Sequence, residues 1–312
     1  MTASITAAKI RIGARGSPLA QAQAHEVKAL LAAAHENLAS EGAVEIVAIK
    51  TTGDRIVDRA LADAGGKGLF TKEIDEALLD GRIDIAVHSM KDVPTELPDG
   101  IVLPCMPERE DTRDVLIADV ATIAALPRRA LVGTASLRRS AQLKHRRPDL
   151  KIAVLRGNVQ TRLKKVAAGE VAASLLALAG LKRLGLEDVG TPISPQDMLP
   201  AVGQGAIGIA LRDGDRVAGD FISPLNHPET VIRVEAERAF LRVLDGSCRT
   251  PIAAEAVIDG ETISFRGLIA RPDGSQLFET SRRGPVAQAD EMARDAGEEL
   301  RVRAGPGFFD NL

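Results

Sequence analysis

A chain of 312 residues, 45% of them apolar and with a net charge of −3, is long enough for two or three domains with ordinary hydrophobic cores, which excludes a disordered or fibrous protein. Its two cysteines are too few for a disulfide framework, neither stands at metal-type spacing from the five histidines, and no apolar run approaches the roughly 18 residues of a membrane-spanning helix. Aromatic residues make up only 2% of the chain, so the cores are expected to be built from Leu, Ile, Val and Ala, and charge and glycine placement carry the functional signal.

Residues 1–15 contain no apolar stretch of signal-peptide length, so a cytoplasmic location is expected. Residues 9–13 read as a short strand. Ser17 and Pro18 follow as helix N-cap and first helical residue, with Leu19, Val27, Leu30, Leu31, Ala34 and Leu38 at roughly helical spacing behind them. A strand at 44–50, a helix at 71–80 closed by Gly81, and a strand at 83–87 continue the alternation, which predicts a mostly parallel sheet covered on both faces. Pro94, Pro98, Pro104 and Pro107 interrupt regular structure and mark a domain boundary. The pattern restarts with a strand at 130–133, a helix at 137–146, a strand at 151–155, a helix at 159–168 and an apolar stretch at 172–178. Pro192, Pro195 and Pro200 end that unit, and 206–211 reads as one more strand. From His227 the texture changes to a helix through 244, strands at 253–258, 262–270 and 275–281, and a last helix near 287–302. Asp259-Gly260 and Pro272-Asp273-Gly274 supply the turns. The predicted organisation is therefore α/β: residues 1–107 with 206–222 as a discontinuous first domain, 108–205 as a second with a basic cleft, and 226–312 as an α+β third domain with a three-stranded antiparallel sheet.

The positive charge is concentrated. Arg128, Arg129, Arg138, Arg139, Lys144, Arg146, Arg147, Lys151, Arg156, Arg162, Lys164 and Lys165 face a single acid, Asp149, within 38 residues. A local excess of this kind attracts polyanions. No Phe, Tyr or Trp occurs between residues 71 and 220, which removes the stacking platforms that single-stranded nucleic-acid binders use and favours a small molecule with several carboxylates or phosphates. Lys144 to Arg147 and Lys164 to Lys165 also fit the solvated faces of helices. Three strand-to-helix turns pair an arginine with a helix N-terminus: Arg15-Gly16-Ser17, Gly133 to Ser136 followed by Arg138 and Arg139, and Arg156-Gly157-Asn158 followed by Arg162. Each offers unpaired N–H groups and the positive end of a helix dipole to an anion, and each also satisfies plain helix capping. The strand ending in His88, Ser89, Lys91 and Asp92 presents an acid beside a cation. This suits a zwitterionic substrate or a local turn pair. The spacing Gly203, Gly205, Gly208 matches a dinucleotide fingerprint, but it follows Pro200 and precedes a strand-like run in place of opening a helix, which argues against nucleotide binding. Cys248 sits in a loop beside Arg249, where a neighbouring cation favours the thiolate; Cys105, at the end of an apolar strand-like run, reads as a small buried hydrophobe.

Eight segments, in order, closely resemble the porphobilinogen deaminase (hydroxymethylbilane synthase) family: RIGARGSPLA (11–20), GGKGLF (65–70), HSMKDVP (88–94), GTASLRR (133–139), LRGNVQTR (155–162), AGLKRLG (179–185), LPAVGQG (199–205) and GSCRTP (246–251). The resemblance implies two lobes like the type 2 periplasmic binding proteins plus a small third domain. It also implies an enzyme that joins four porphobilinogen molecules head to tail with release of ammonia, on a covalent dipyrromethane cofactor held by a thioether to Cys248. A thioether resists the hydrolysis that a thioester would suffer. By the same resemblance Asp92 would hydrogen-bond pyrrole N–H groups and stabilise the cationic azafulvene formed as ammonia leaves. Lys91, Ser136, Arg138, Arg139 and Arg183 would hold the cofactor carboxylates; Arg15, Ser17, Arg156 and Arg162 would hold the incoming substrate, and Phe70 would cover its ring. Family members are usually monomers, and no nucleic acid, membrane or metal is implied. Asp63 stands where relatives often have Lys, Ala172 where an Asp is common, and Ser247 where Gly is frequent. Two other classes share some of these features. A two-lobed polyanion-binding module predicts no role for Cys248 or Asp92, and a nucleic-acid binder predicts steep salt dependence.

Overall fold

The computed structural model describes residues 9–55, 70–244 and 250–308. Strand β1 (Ile10–Arg15) buries Ile10, Ile12 and Ala14. It turns at Ser17, whose hydroxyl accepts the Ala20 N–H, into α1 (Pro18–Ala34). Ala20, Ala24, Val27 and Leu31 form the buried face of α1. Next come β2 (Val44–Ile49), the single turn α2 (Thr52–Arg55), α3 (Lys72–Leu79), β3 (Ile85–Ser89) and β4 (Ile101–Cys105). The chain then crosses to a second sheet and lays down β5 (Asp114–Ile117), β6 (Leu131–Gly133), α4 (Leu137–Arg146), β7 (Lys151–Ala153), α5 (Val159–Ala167), β8 (Ala173–Ala177), α6 (Leu178–Arg183) and β9 (Thr191–Pro192). It returns to the first sheet as β10 (Ile207–Arg212), followed by α7 (Arg216–Ile222).

The two five-stranded sheets run β2-β1-β3-β10-β4 and β7-β6-β8-β5-β9. Neither is mostly parallel, contrary to the expectation from alternating strands and helices. In the first, β1 pairs parallel with β2 and β3, but β10 is antiparallel to both β3 and β4. In the second, β6 pairs parallel with β7 and β8, while β5 is antiparallel to β8 and β9. The reason is connectivity. Strands entering from the opposite lobe arrive without a crossover helix of their own and are free to run against their neighbours. The proline-rich stretch also holds β4, the apolar strand-like run that ends at Cys105. Pro104 is exposed on an edge strand, where the missing N–H costs no ladder bond.

The third sheet is antiparallel, formed by β11 (Ile252–Asp259), β12 (Thr262–Ala270) and β13 (Leu277–Pro285), and packs against α8 (Pro228–Val243) and α9 (Ala289–Ala304). Asp259 pairs with Thr262, leaving a two-residue turn in which Gly260 takes φ +58°. Phe240 and Phe265 meet at 5.3 Å in its core, and a Cβ at Gly267 would lie 2.6 Å from the Phe240 ring. The three sheets are thus two α/β lobes and a small α+β unit.

Candidate active site

The carboxyl end of β3 runs directly into one turn of 3-10 helix, Met90–Asp92. Met90 is buried, and its N–H donates to the carbonyl of Ala206 at 3.0 Å. Gly203, at φ +68°, presses against the same turn, and a Cβ there would stand 3.0 Å from the Met90 Cβ. From the other side Arg238 of α8 donates to the carbonyls of Val93 (3.2 Å), Pro94 (2.7 Å) and Thr95 (3.2 Å). Lys91 and Asp92 therefore project, half-buried, from a backbone clamped by the return crossing and by the third unit. Burial pushes the Lys91 ammonium down to about 8; Asp92 and Asp114 oppose that shift, and Arg139 and Arg138 add to it. A lysine of the first lobe and two arginines of the second thus belong to one electrostatic cluster.

In the second lobe the Ser136 hydroxyl caps α4 by accepting the Arg139 N–H at 3.4 Å. Arg138 and Arg139, 5% and 6% exposed, converge on Asp114, the first residue of β5. Burial opposes ionisation of Asp114, but the charges and hydrogen bonds of the two arginines outweigh it and hold the carboxyl well below the usual carboxylate range. At α5, Asn158 accepts the Thr161 N–H at 2.9 Å, and Arg162 Nε donates to the carbonyl of Gly157 at 2.9 Å. Burial, then Arg139 and Arg156, depress Arg162 to about 10, so three like charges share this corner. In the first lobe the Arg15 guanidinium lies 4.1 Å from the Phe70 ring centroid. Burial, then Arg15, push His88 down to about 4, which leaves it neutral at pH 7.

Residues from β1, β3, α4 and α5 are thus gathered at strand and helix ends, as in other open α/β sheets. Arg183 is placed differently. Its Nε donates to Glu26 of α1 at 2.7 Å and its Nη1 to the carbonyl of Gly205 at 3.2 Å, across the contact between α6 and α1. The three turn residues Ser17, Ser136 and Asn158 all act as helix caps. Arg147 is structural: it pairs with Asp149 at 2.7 Å and donates to the carbonyls of Ile123, Ala124 and Leu126. Gly203 and Gly205 form a turn and Gly208 lies on β10, so no helix opens at this glycine motif. Cys248, Ser247, Asp63 and most of the 65–70 motif lie outside the described residues.

The sequence reading missed Asp114, Gln204 and the buried pair Arg109–Glu237. Arg109 Nη1 and Nη2 donate to Glu237 at 2.7 and 2.9 Å, with side chains 1% and 0% exposed. Glu237 also accepts the N–H of Gly203 (2.8 Å) and of Ala256 (2.9 Å). One carboxylate therefore ties the outgoing crossing, the return crossing and the third sheet together. The available signal was an acid at the head of the apolar run Asp-Val-Leu-Ile (114–117) and an acid on the apolar face of α8.

Two α/β lobes set a lysine, several arginines and an Asp-bearing turn at their strand and helix ends, a positively charged arrangement with the chemistry to receive an anionic organic ligand. A family model described as "Porphobilinogen deaminase, dipyromethane cofactor binding domain" matches residues 10–219, and one described as "Porphobilinogen deaminase, C-terminal domain" matches residues 231–302. The chain belongs to the porphobilinogen deaminase family. It is 61% identical to a chloroplastic porphobilinogen deaminase of Oryza sativa subsp. japonica, covering 97% of this chain and 86% of the rice protein. It is 58% identical to the chloroplastic protein of Pisum sativum (97% and 84% covered) and 57% identical to the porphobilinogen deaminase of Nitrobacter winogradskyi (96% and 94% covered). Among solved structures it is similar to a TRAP periplasmic solute-binding protein from Desulfovibrio salexigens (10% identity, TM-score 0.42, 72% of this chain and 74% of that one). It is also similar to the Azotobacter vinelandii periplasmic molybdate-binding protein (12% identity, TM-score 0.37, 73% and 97%).

The residues fit a polycarboxylate cofactor. Burial and the charges of Arg139 and Arg156 lower the proton affinity of Arg162, and among the described residues Nε of the buried Arg138 has no hydrogen-bond partner. No helix is long and apolar enough to cross a membrane among the described residues.

Proposed function

We propose that this chain carries out the reaction of its family: a transferase that joins four porphobilinogen molecules head to tail, releases ammonia at each addition, and frees the linear tetrapyrrole hydroxymethylbilane by hydrolysis. The observation that carries this proposal is the Lys91-Asp92 turn set against the arginine cluster of the second lobe, where positive charges outnumber the acids Asp92 and Asp114. The substrate divides in the same way: acetate and propionate groups need guanidinium forks, and the carbon that loses ammonia becomes cationic and needs a carboxylate.

The dipyrromethane cofactor, attached through Cys248, supplies the electron-rich pyrrole end to which new units are joined. Lys91, Ser136, Arg138 and Arg139 hold its carboxylates, and Arg183 joins them by exchanging Glu26 for a ligand carboxylate. A carboxylate beside Lys91 raises its proton affinity again and keeps it a cation at neutral pH. Arg15, Ser17, Arg156 and Arg162 hold the incoming substrate, with the Phe70 ring beside Arg15. Asp92 accepts hydrogen bonds from pyrrole N–H groups and keeps its charge next to the carbon where cationic character develops. The working units are residues 1–107 with 206–222, 108–205, and 226–312; the protein acts as a cytoplasmic monomer, which sedimentation and fractionation test directly.

The deciding experiment is the intact mass of the denatured protein beside that of Cys248→Ser. An increment equal to a dipyrromethane in the wild type, absent from the variant, is the expected result. A wild-type chain that gains no mass even after incubation with porphobilinogen would leave only a polyanion-binding module.

A further inference from the structure

Asp114 enters no part of the reaction above, yet it accepts five hydrogen bonds from described residues. Arg138 Nη1 and Nη2 donate to it at 2.6 and 3.3 Å, Arg139 Nε and Nη2 at 3.1 and 2.7 Å, and Gln204 Nε2 at 3.0 Å. Its side chain is 0% exposed. It stands where the outgoing crossing enters the second sheet, and Gln204, which binds it from the return crossing, also donates to the carbonyl of Thr112 at 2.7 Å. Arg138 and Arg139 are neighbours on the first turn of α4 and are both buried, so each raises the cost of the other's charge. Two buried guanidiniums without an acid would be driven toward water. One aspartate neutralises half of their charge and fixes both forks. It leaves donors over, among them Arg138 Nε, and a net positive charge that Lys91 reinforces.

The geometry points to Asp114 as a positioning residue: a built-in counter-ion that keeps the arginine pair buried and aimed before any ligand arrives, without consuming the charge that the ligand needs. This role rests on the proposal that Arg138 and Arg139 hold cofactor carboxylates. It has a consequence that packing alone does not share. Once the cofactor supplies its own carboxylates, the cluster depends less on Asp114, so the aspartate matters most in the cofactor-free protein.

Cofactor-free and cofactor-loaded forms of the wild type and of Asp114→Asn, with occupancy checked by intact mass, are compared by urea unfolding. The substitution is expected to raise the unfolding constant at least tenfold more in the cofactor-free form than in the loaded form. Equal ratios in the two forms would overturn the assignment and leave Asp114 a packing residue. If Asp114→Asn yields no folded protein, the double variant Asp114→Asn/Arg139→Gln, which removes one charge of each sign, should recover it; failure of the double variant to fold also overturns the assignment. A wild type that takes up no cofactor from porphobilinogen refutes the family chemistry instead, a result separate from either of these.

Discussion

Replacing Glu237 with glutamine keeps the side chain's size and removes its charge, at a point where four donors converge: two from Arg109 and the N–H groups of Gly203 and Ala256. The amide retains one acceptor oxygen and turns an NH2 group toward two of those donors. Arg109, its side chain 1% exposed, is left as a buried cation without the carboxylate charge, bonded to the one retained amide oxygen and to the carbonyl of Gln204 at 2.9 Å. Breaking one side of a buried pair costs about 3–5 kcal/mol, and each orphaned buried N–H adds about 1–3 kcal/mol where water cannot reach it. We expect Glu237→Gln to lose about 4 kcal/mol in urea unfolding, measured on protein of matched cofactor occupancy. Arg109→Leu should lose a similar amount, and the double variant Arg109→Leu/Glu237→Leu less than the sum of the two, because no unpaired charge remains. A single-variant loss below about 1 kcal/mol, or a double variant equal to the sum, would refute the account of Glu237 as the clamp on both crossings.

Asp75, 8% exposed on α3, has its carboxyl raised to about 6, chiefly by burial, against a lowering hydrogen bond from Thr71. Its folded pKa exceeds the unfolded value, so the ionised form weakens the protein above pH 6 and the penalty disappears below about pH 4. Asp75→Asn should accordingly stabilise the protein by about 1–3 kcal/mol at pH 7.5 and by nothing near pH 4, as read from unfolding at the two pH values; no gain at pH 7.5 would refute this. Gly205 has φ +89° and a hypothetical Cβ 2.4 Å from the carbonyl oxygen of Glu110, so Gly205→Ala should cost roughly 2 kcal/mol or more. Gly219→Ala, in open space on α7, should stabilise by about 0.5–1 kcal/mol; the same sign for both alanines would be inconsistent with the backbone described. Asp92→Asn, assayed for hydroxymethylbilane formation with pre-loaded enzyme, should slow turnover by about 10²- to 10³-fold, in line with the loss of one electrostatic contact to a developing charge, while its unfolding midpoint moves little. Turnover within tenfold of wild type would remove Asp92 from the chemistry.

Much of the architecture is written in residues that are neighbours in the chain. Ser17-Pro18, Ser136 and Asn158 announce helix starts because a cap bonds an N–H only two or three residues ahead. Asp259-Gly260 announces a hairpin because a tight turn needs a positive φ. For the same reason the arginine-bearing turns and the Lys91-Asp92 strand end were recognisable as candidate anion and cation sites. Tertiary structure decided the rest. The four-residue β5 and the two-residue β9 are too short to carry periodicity, and the strand-like run that became β4 does not by itself reveal the edge position that tolerates Pro104. Strand direction in both sheets depends on which lobe a strand comes from, and local patterning does not encode that. The separations are longer still for the buried acids: Glu237 meets Arg109 across 128 residues, and Asp114 meets Gln204 across 90. Arg183, which the motif offers to a ligand, is claimed by Glu26 from 157 residues away. A charge in the chain shows its type but not its partner, because electrostatic energy depends on distance and burial, and both exist only after the lobes have packed.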